Sequence, residues 1–591
     1  MTDSSLPADA LIATLPQLWR NACLRDPQRT ALRFKRRGVW AGTTWAQFYE
    51  DTRAIALALS EVGIQRGEVI SLLSENRPEW MSVDLGAQAM GMISHGIYPT
   101  DSGLRLANVL CEAGSCAVIV ENVEQLAKIL AIRSSCPKLA HIVIIETRGL
   151  GGFKDPHVLL FADLLSRGRA LSETKKTEFE ANITEGHEHQ VAVLAQTAAS
   201  TGAAKLATIA QRNLMHIANN LDSWLKVRSW ESSLSVTSLA NMAERVLTVV
   251  APLVTPLMIH FPESPATVLN DLREVRPKIV FAPPRFWENL HTDTETLVNA
   301  AFPIAQWAYR HSMRCKAVGI FERLMMRNVR RSLGLQNIRM AISGCASVSP
   351  ALTRWYRALG VPMFEGYGLA ETVGFASLTV ASDGISSGAA IEPPQGLEIK
   401  LAVDGEILLR GAAVHMGYWR DGTVTVNPGS EGWLQSGDFG TTSVGGEIHL
   451  GGRMSDRFDN SAGITISPNV FERELRLCPY VFDALLIGNG RPYCTVLVAV
   501  DHEMVGQYAQ ENHISYTDHA SLISRKEVIA LIGMQIDIVN TKLLLDVCIR
   551  GFRIIGEPLF GDSEELTPAL RLRRYLTERK YSVLLEEMYA V

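Results

Sequence analysis

An excess of charge of either sign is missing from this chain. Its 57 Lys and Arg stand against 62 Asp and Glu, a net of -5 over 591 residues. That balance gives no electrostatic case for a nucleic-acid partner. Nine cysteines are scattered from Cys23 to Cys548 without one Cys-x-x-Cys pair, and Cys111 and Cys116 have no histidine close by. This fits reduced, mostly buried thiols in a cytoplasmic protein and speaks against a metal site. Met1 to Pro16 has no basic flank before its apolar part, which speaks against a signal peptide. The longest apolar run, Val246 to Phe261, is short for a span and is broken by Pro252 and Pro256. It predicts a buried strand or helix and no transmembrane segment. Also absent are a Gly-x-Ser-x-Gly elbow with a credible triad, a His-Glu-x-x-His metal helix, a dinucleotide fingerprint, internal repeats and low-complexity segments.

What is present is ordinary globular material, 47% apolar and 20% charged. The length exceeds one core, so two or more domains are expected. Trp45 to Val62 has apolar residues at helical spacing before a stop at Gly63. Val69–Leu73, Ala117–Val120, His141–Ile145 and Val191–Leu194 read as buried strands alternating with helices, the signature of parallel α/β sheets. The polar residues 146–190 read as a surface excursion. Short, glycine-rich extended segments over 384–452 read as a β-rich subdomain. The character changes after Gly452-Arg453. The expected organisation is a large domain over residues 1–454 and a small mobile α+β domain over 455–591, with strands at Leu485–Ile487 and Cys494–Val500.

Several stretches, in order along nearly the whole chain, resemble long-chain acyl-CoA synthetases of the adenylate-forming superfamily. They are Ser74–Trp80, Asp271–Glu288, the turn Ser343-Gly344-Cys345-Ala346, the run Tyr367-Gly368-Leu369-Ala370-Glu371-Thr372, the segment Gly432–Asp438, and Gly452-Arg453. Near the end, Leu566-Thr567-Pro568-Ala569-Leu570-Arg571 is similar to the family's Leu-Thr-Pro-x-x-Lys segment. Read alone, it is a turn with Thr567 as N-cap and Pro568 at the first position of a basic helix. The resemblance implies an adenylate-forming fold with two α/β sheets in the large domain. It implies a two-step reaction, acid plus ATP giving acyl-adenylate, then CoA giving acyl-CoA and AMP. It also implies rotation of the small domain about a hinge near Ser455.

The resemblance assigns roles, and the chain departs from the pattern at some of them. The phosphate loop reads Thr197-Ala198-Ala199-Ser200-Thr201-Gly202-Ala203-Ala204-Lys205-Leu206. Side chains occupy two positions, 199 and 206, where the family has glycines that let backbone N–H groups converge on phosphate. Thr197, Thr201, Gly202 and Lys205 remain. Ala370 stands where the family has a threonine, beside Glu371, whose family counterpart helps place Mg²⁺. Arg571 stands where the family has its catalytic lysine, and a planar guanidinium does not replace a compact ammonium in a tight site. The retained set is Gly344, Cys345, Ala346, Tyr367, Gly368, Asp438 and Arg453 for the adenylate, with Asp438 on the ribose and Tyr367 stacking on or flanking adenine. Ser461, Ala462 and Gly463 form the CoA-side loop. Asn241, in a segment that replaces a family Pro-Leu-x-His, and the backbone near Gly344 are candidates to polarise the acyl carbonyl.

The departures fall on triphosphate handling and the retentions on adenylate and CoA. The chain therefore also resembles the non-adenylating CoA-loading ligases of diterpenoid antibiotic biosynthesis, of the platensimycin and platencin kind. That implies transfer of a bulky, diterpenoid acyl group from an adenylate made by a separate adenylating ligase to CoA, without need of ATP or Mg²⁺. Two alternatives stay open: a complete ATP-dependent long-chain acyl-CoA synthetase, and a non-catalytic acyl-adenylate-binding protein.

Overall fold

The computed structural model describes residues 12–197, 205–299, 301–314, 320–381, 390–420, 422–425, 432–541, 548–557, 559, 565–566 and 572–590. Continuous apolar strands, buried on both faces, build two large mixed sheets. One has nine strands, in the order Thr423–Thr425, Tyr418–Arg420, Leu206–Ala210, Val191–Gln196, Ile93–Ile97, Val69–Leu73, Ser115–Val120, His141–Ile144 and Val158–Leu160. The other has eight, in the order Ser377–Val380, Met363–Tyr367, Met340–Ser343, Ile279–Ala282, Glu231–Ser235, Leu257–Phe261, Thr30–Arg36 and Val39–Thr44. Both are parallel at the centre and antiparallel toward an edge, as between Val191–Gln196 and Leu206–Ala210 and between Met363–Tyr367 and Ser377–Val380. The parallel sheets expected from the strand–helix alternation are therefore mixed.

The helix Trp45–Glu61 closes with a capping box from Thr44 and Gln47 and ends at Val62, before Gly63. The apolar run from Val246 turns as helix to Val254 and continues as the strand Leu257–Phe261. Among the described residues no helix is long and apolar enough to cross a membrane.

The surface excursion expected over 146–190 is corrected. The helices Phe161–Leu171 and Lys176–Glu185 fall there, burying Phe161, Leu164, Phe179 and Ile183. Their apolar residues are few but sit at helical spacing, and Gly168 lets one helix press on Trp45–Glu61: a Cβ there would lie 1.8 Å from the Ala54 carbonyl oxygen. The β-rich unit expected over 384–452 is also redrawn. Its four-stranded sheet is Leu397–Leu401, Glu406–Gly411, Leu434–Thr442 and Ile448–Arg453. Tyr418–Arg420 leaves it and pairs with Leu206–Ala210 at the edge of the nine-stranded sheet. Residues 384–389, 421 and 426–431 of that range lie outside the described residues.

Beyond Arg453 a further apolar core gathers Ile466, Phe471, Leu486, Val496, Val498 and Ile532. It is built on the three-stranded sheet Val481–Ile487, Cys494–Val500 and Ile549–Ile554. This unit touches the rest through polar contacts. Arg285 Nη1 donates to the Phe482 carbonyl at 2.8 Å, Ser349 Oγ to Glu474 at 2.7 Å, and buried Arg476 faces Glu288 at 3.7 Å.

Candidate active site

Asp438 and Arg453 stand on neighbouring antiparallel strands, and the register makes them direct partners. Arg453 Nη1 lies 3.3 Å from Asp438 Oδ1 and donates to the Ser436 carbonyl at 3.1 Å. Tyr367, at the end of its own strand, donates its hydroxyl to Asp438 Oδ2 at 3.1 Å. Burial pushes the Asp438 carboxyl up to about 6, against the opposing pull of Arg453 and the Tyr367 hydrogen bond. An aspartate desolvated this far still offers two oxygens, so the triad is suited to bind a diol. The Tyr367 hydroxyl thus orients the carboxylate.

Crowding explains the glycines beside it. A Cβ on Gly368 would stand 2.3 Å from the Gly374 carbonyl oxygen. One on Gly374, at φ +85°, would stand 2.4 Å from the Ala243 nitrogen. That close approach brings the short helix Met242–Arg245 against the turn Ala370–Thr372. Asn241 caps the helix, its Oδ1 accepting from Ala243 N at 3.0 Å, while its Nδ2 donates to Cys345 Sγ at 3.3 Å. Tyr98 also hydrogen-bonds Asn241. Cys345 takes a left-handed φ of 69°. A Cβ on Gly344 would meet Phe281 at 2.7 Å. Burial pushes the Cys345 thiol up to about 11, yet the residue keeps exposed surface. Ala346 and Ala370 are half-buried, and Ala370 packs against the core.

At the phosphate loop, Thr197 and Lys205 close the neck: Thr197 N donates to the Lys205 carbonyl at 2.9 Å and Lys205 N to Thr197 Oγ1 at 3.1 Å. Ala199, Thr201 and Gly202 lie outside the described residues. Lys205 Nζ sits 4.8 Å from the Tyr418 ring centre, and Tyr418 donates its hydroxyl to Glu371 Oε1 at 3.0 Å. His415 N donates to the Glu371 carbonyl at 2.8 Å, and its ring meets Tyr418 edge-on at 4.7 Å. Burial holds the His415 imidazole below its ordinary range. Sequence reasoning missed His415 and Tyr418. Their one signal is a short aromatic strand with no motif, and their partner Glu371 is some 40 residues away. An oriented carboxylate is a hard oxygen donor of the kind Mg²⁺ takes alongside substrate phosphates, so Glu371 fits that ion.

Arg571 itself lies outside the described residues, with Thr567 and Pro568; the described helix in this region is Arg574–Lys580. The flanks are informative. Leu566 and Leu572 form an antiparallel bridge, and Leu572 N donates to Asp483 Oδ2 at 2.8 Å. Arg573 lies near enough to Asp101 for its charge to favour that carboxylate, as do Arg105 and a hydrogen bond from Gln196, although burial outweighs them and raises the pKa. Arg105 Nε is 2.9 Å from Asp101. Gln196 directly precedes Thr197, so Asp101 stands beside the neck of the phosphate loop.

The CoA-side loop is elsewhere. Ser461, Ala462 and Gly463 are exposed, with Asn460 Oδ1 accepting from Ala462 N and Ile464 N at 3.0 and 2.9 Å. Gly463 has φ +76° and open space around it. Ser455 sits exposed in the single turn Met454–Asp456, after Arg453.

The profile of the family described as AMP-binding enzyme matches residues 19–419. The chain is 28% identical over 573 residues to the long-chain-fatty-acid–CoA ligase FadD15 of Mycobacterium tuberculosis, covering 93% of each. It is 25% identical to the long-chain-fatty-acid–CoA ligase ACSBG2 of Homo sapiens, covering 98% of this chain and 92% of that one. Among solved structures, the anthranilate CoA ligase AuaEII in complex with anthranoyl-AMP shares the fold at a TM-score of 0.72 and 19% identity, covering 98% of this chain and 100% of that one. The adenylation domain of a carboxylate reductase from Mycobacterium chelonae does so at 0.78 and 18%, covering 99% and 92%.

Proposed function

The chain belongs to the AMP-binding enzyme family, and on that premise we propose that it is a complete ATP-dependent acyl-CoA ligase for acids with a long or bulky apolar chain. The observation that carries this reading is the Lys205–Tyr418–Glu371 arrangement, which keeps a cation at the neck of the phosphate loop and an oriented carboxylate able to hold Mg²⁺. A chain that only loads CoA has no use for that arrangement. The expectation that ATP and Mg²⁺ are dispensable is corrected: the relatives matching 93% to 98% of the chain are CoA ligases, which consume ATP with Mg²⁺.

In this reading Asp438 accepts the ribose hydroxyls, with Tyr367 and Arg453 fixing its carboxylate. Lys205 and the loop it closes hold the phosphates. Arg571 balances charge between the acid and the α-phosphate, a role that depends on positioning. Glu371, oriented by Tyr418, would hold Mg²⁺, which offsets phosphate charge. Asn241, whose Nδ2 donates to Cys345 Sγ, would donate to the acyl carbonyl. Rotation about Ser455 would then exchange the Arg571 segment for the Gly463 loop, admitting CoA.

The departures at Ala199, Leu206, Ala370 and Arg571 bear on rate in this account: adenylate formation is the slow half. Transfer from a separately made adenylate of a diterpenoid acid rests on those same substitutions and on the small side chains at 346 and 370. The test is to give the full chain a long-chain acid, ATP, Mg²⁺ and CoA, and separately the acyl-adenylate with CoA. Pyrophosphate and acyl-CoA are expected from the first and faster acyl-CoA from the second. Acyl-CoA from the adenylate alone, with no pyrophosphate from acid and ATP, would overturn the reading.

A further inference from the structure

Two thiols with no part in the proposed reaction lie in contact. Cys111 and Cys136 stand 25 positions apart in the chain, yet their sulfurs are 3.3 Å apart. Cys111 is exposed, in the last turn of the helix Gly103–Ala113. Cys136 is buried and follows the single turn Arg133–Ser135. Cys111 Sγ also donates to the Ser135 carbonyl at 3.0 Å, which holds its side chain against that turn. Both are free thiols. The bond of a disulfide is about 2.05 Å long, so the sulfurs need to close by about 1.3 Å. Cys136 sits outside any strand or long helix, tied by its N–H to the Arg133 carbonyl at 2.9 Å, where the backbone can take up such a shift.

An exposed thiol backed by a second one is the arrangement of a reversible oxidation site, in which the first sulfur meets the oxidant and the second resolves it. Burial, with Cys111 alongside, pushes the Cys136 thiol up to about 12. Cys136 therefore keeps its proton at neutral pH, and Cys111 is the sulfur that an oxidant in solution reaches. We propose that Cys111 and Cys136 form a reversible disulfide when the chain meets hydrogen peroxide. The Cys111 sulfur attacks one peroxide oxygen and the O–O bond breaks, leaving a sulfenic acid and one water. The Cys136 sulfur then attacks the Cys111 sulfur. The S–O bond breaks, and the hydroxyl leaves with the Cys136 proton as a second water. The two sulfurs together give up two electrons, and both peroxide oxygens end as water. A dithiol reverses the step by exchange.

The bridge reaches the candidate active site through the helix that carries Cys111. The end of that helix is tied to the strand Tyr418–Arg420, because Trp419 Nε1 donates to the Ala113 carbonyl at 3.0 Å. Trp419 adjoins Tyr418, whose hydroxyl orients Glu371. The first turn of the helix holds Arg105, paired with Asp101 beside the neck of the phosphate loop. A shift of Cys111 toward Cys136 thus loads both ends of one rigid element, each next to a group assigned to the nucleotide. This consequence rests on the proposed function; the bridge itself does not.

The test is to treat the full chain with hydrogen peroxide, block the remaining thiols with iodoacetamide, digest with trypsin and read the masses. Cleavage after Arg105, Lys128, Arg133 and Lys138 puts the two cysteines on separate fragments, 106–128 and 134–138. These fragments are expected joined, with Cys116 alkylated, and parted again by dithiothreitol. Cys111→Ser, at an exposed position, should abolish the joined fragment and leave the thermal melt unchanged. Oxidation of the wild-type chain should raise its KM for Mg²⁺-ATP by about threefold or more, an effect reversed by dithiothreitol and absent from Cys111→Ser. No joined fragment, or one joined through Cys116, would overturn the proposal. A joined fragment with an unchanged KM would overturn its link to the site. A joined fragment in a chain that turns over no ATP upholds the bridge and counts against the proposed function instead.

Discussion

Asp438 carries opposed demands. Its carboxyl is held at about 6, above the usual carboxylate range near 4, by burial. A raised folded value means that the folded chain holds the proton more tightly than the unfolded one. Its contribution to stability is therefore present at acid pH and lost as pH rises from about 4 through about 6. Ligand binding needs the opposite form, because the ionised carboxylate accepts ribose hydroxyls. Two outcomes follow. The apparent KM for ATP should rise as pH falls through about 6. Asp438→Asn should raise the melting temperature by about 2 °C or more at neutral pH while reducing kcat/KM for ATP by at least about tenfold, read by thermal shift and steady-state kinetics. Arg571→Lys belongs to the same scale. It should speed pyrophosphate release from acid and ATP by at least about tenfold and leave thioester formation from the acyl-adenylate unchanged. An unaltered pyrophosphate rate would move the lesion to the phosphate loop.

Among the elements, those with unbroken apolar runs bounded by turn residues were legible from sequence. Val69–Leu73 and Cys494–Val500 form over those residues. The helices within 146–190 were not, because their polar exteriors hide the few residues that matter, Phe179, Ile183 and Gly168. Gly168 shows why: its meaning lies in the Ala54 carbonyl against which it packs, over 100 residues away. Gly168→Ala should destabilise the protein by about 1–3 kcal/mol through overpacking, seen as a lower urea midpoint. The Lys205–Tyr418–Glu371–His415 cluster was out of reach for a similar reason, being assembled from one strand, one short turn and two positions outside regular elements. Asp438 and Arg453, by contrast, lay in recognisable motifs, and the strand register then paired them. Tyr418→Phe should raise the KM for Mg²⁺-ATP by about threefold to tenfold, the effect of one lost hydrogen bond to a charged group, with little change in reaction of the acyl-adenylate with CoA.

For the whole molecule, the contacts of Arg285 with Phe482 and of Ser349 with Glu474 hold the C-terminal unit in its arrangement against the large domain. Arg285→Ala should bias the chain away from it. The expected outcome is slower pyrophosphate release, an unchanged or faster second half-reaction, and quicker proteolysis near Ser455. The Leu566–Leu572 bridge has a consequence of a different kind. Both ends of a five-residue stretch are fixed, one by the bridge and one also by Asp483, so the described flanks set a short span for the segment that carries position 571. Under the proposed function, a side chain carried on so short a span is a tethered reagent, with an effective molarity set by the distance between the pins. A chain cut before residue 455 would keep the nucleotide pocket yet need free guanidinium or alkylammonium ion at that same concentration, on the order of millimolar or more, to recover the first half-reaction. The amount of added cation that restores activity would measure how tightly the tether confines the arginine.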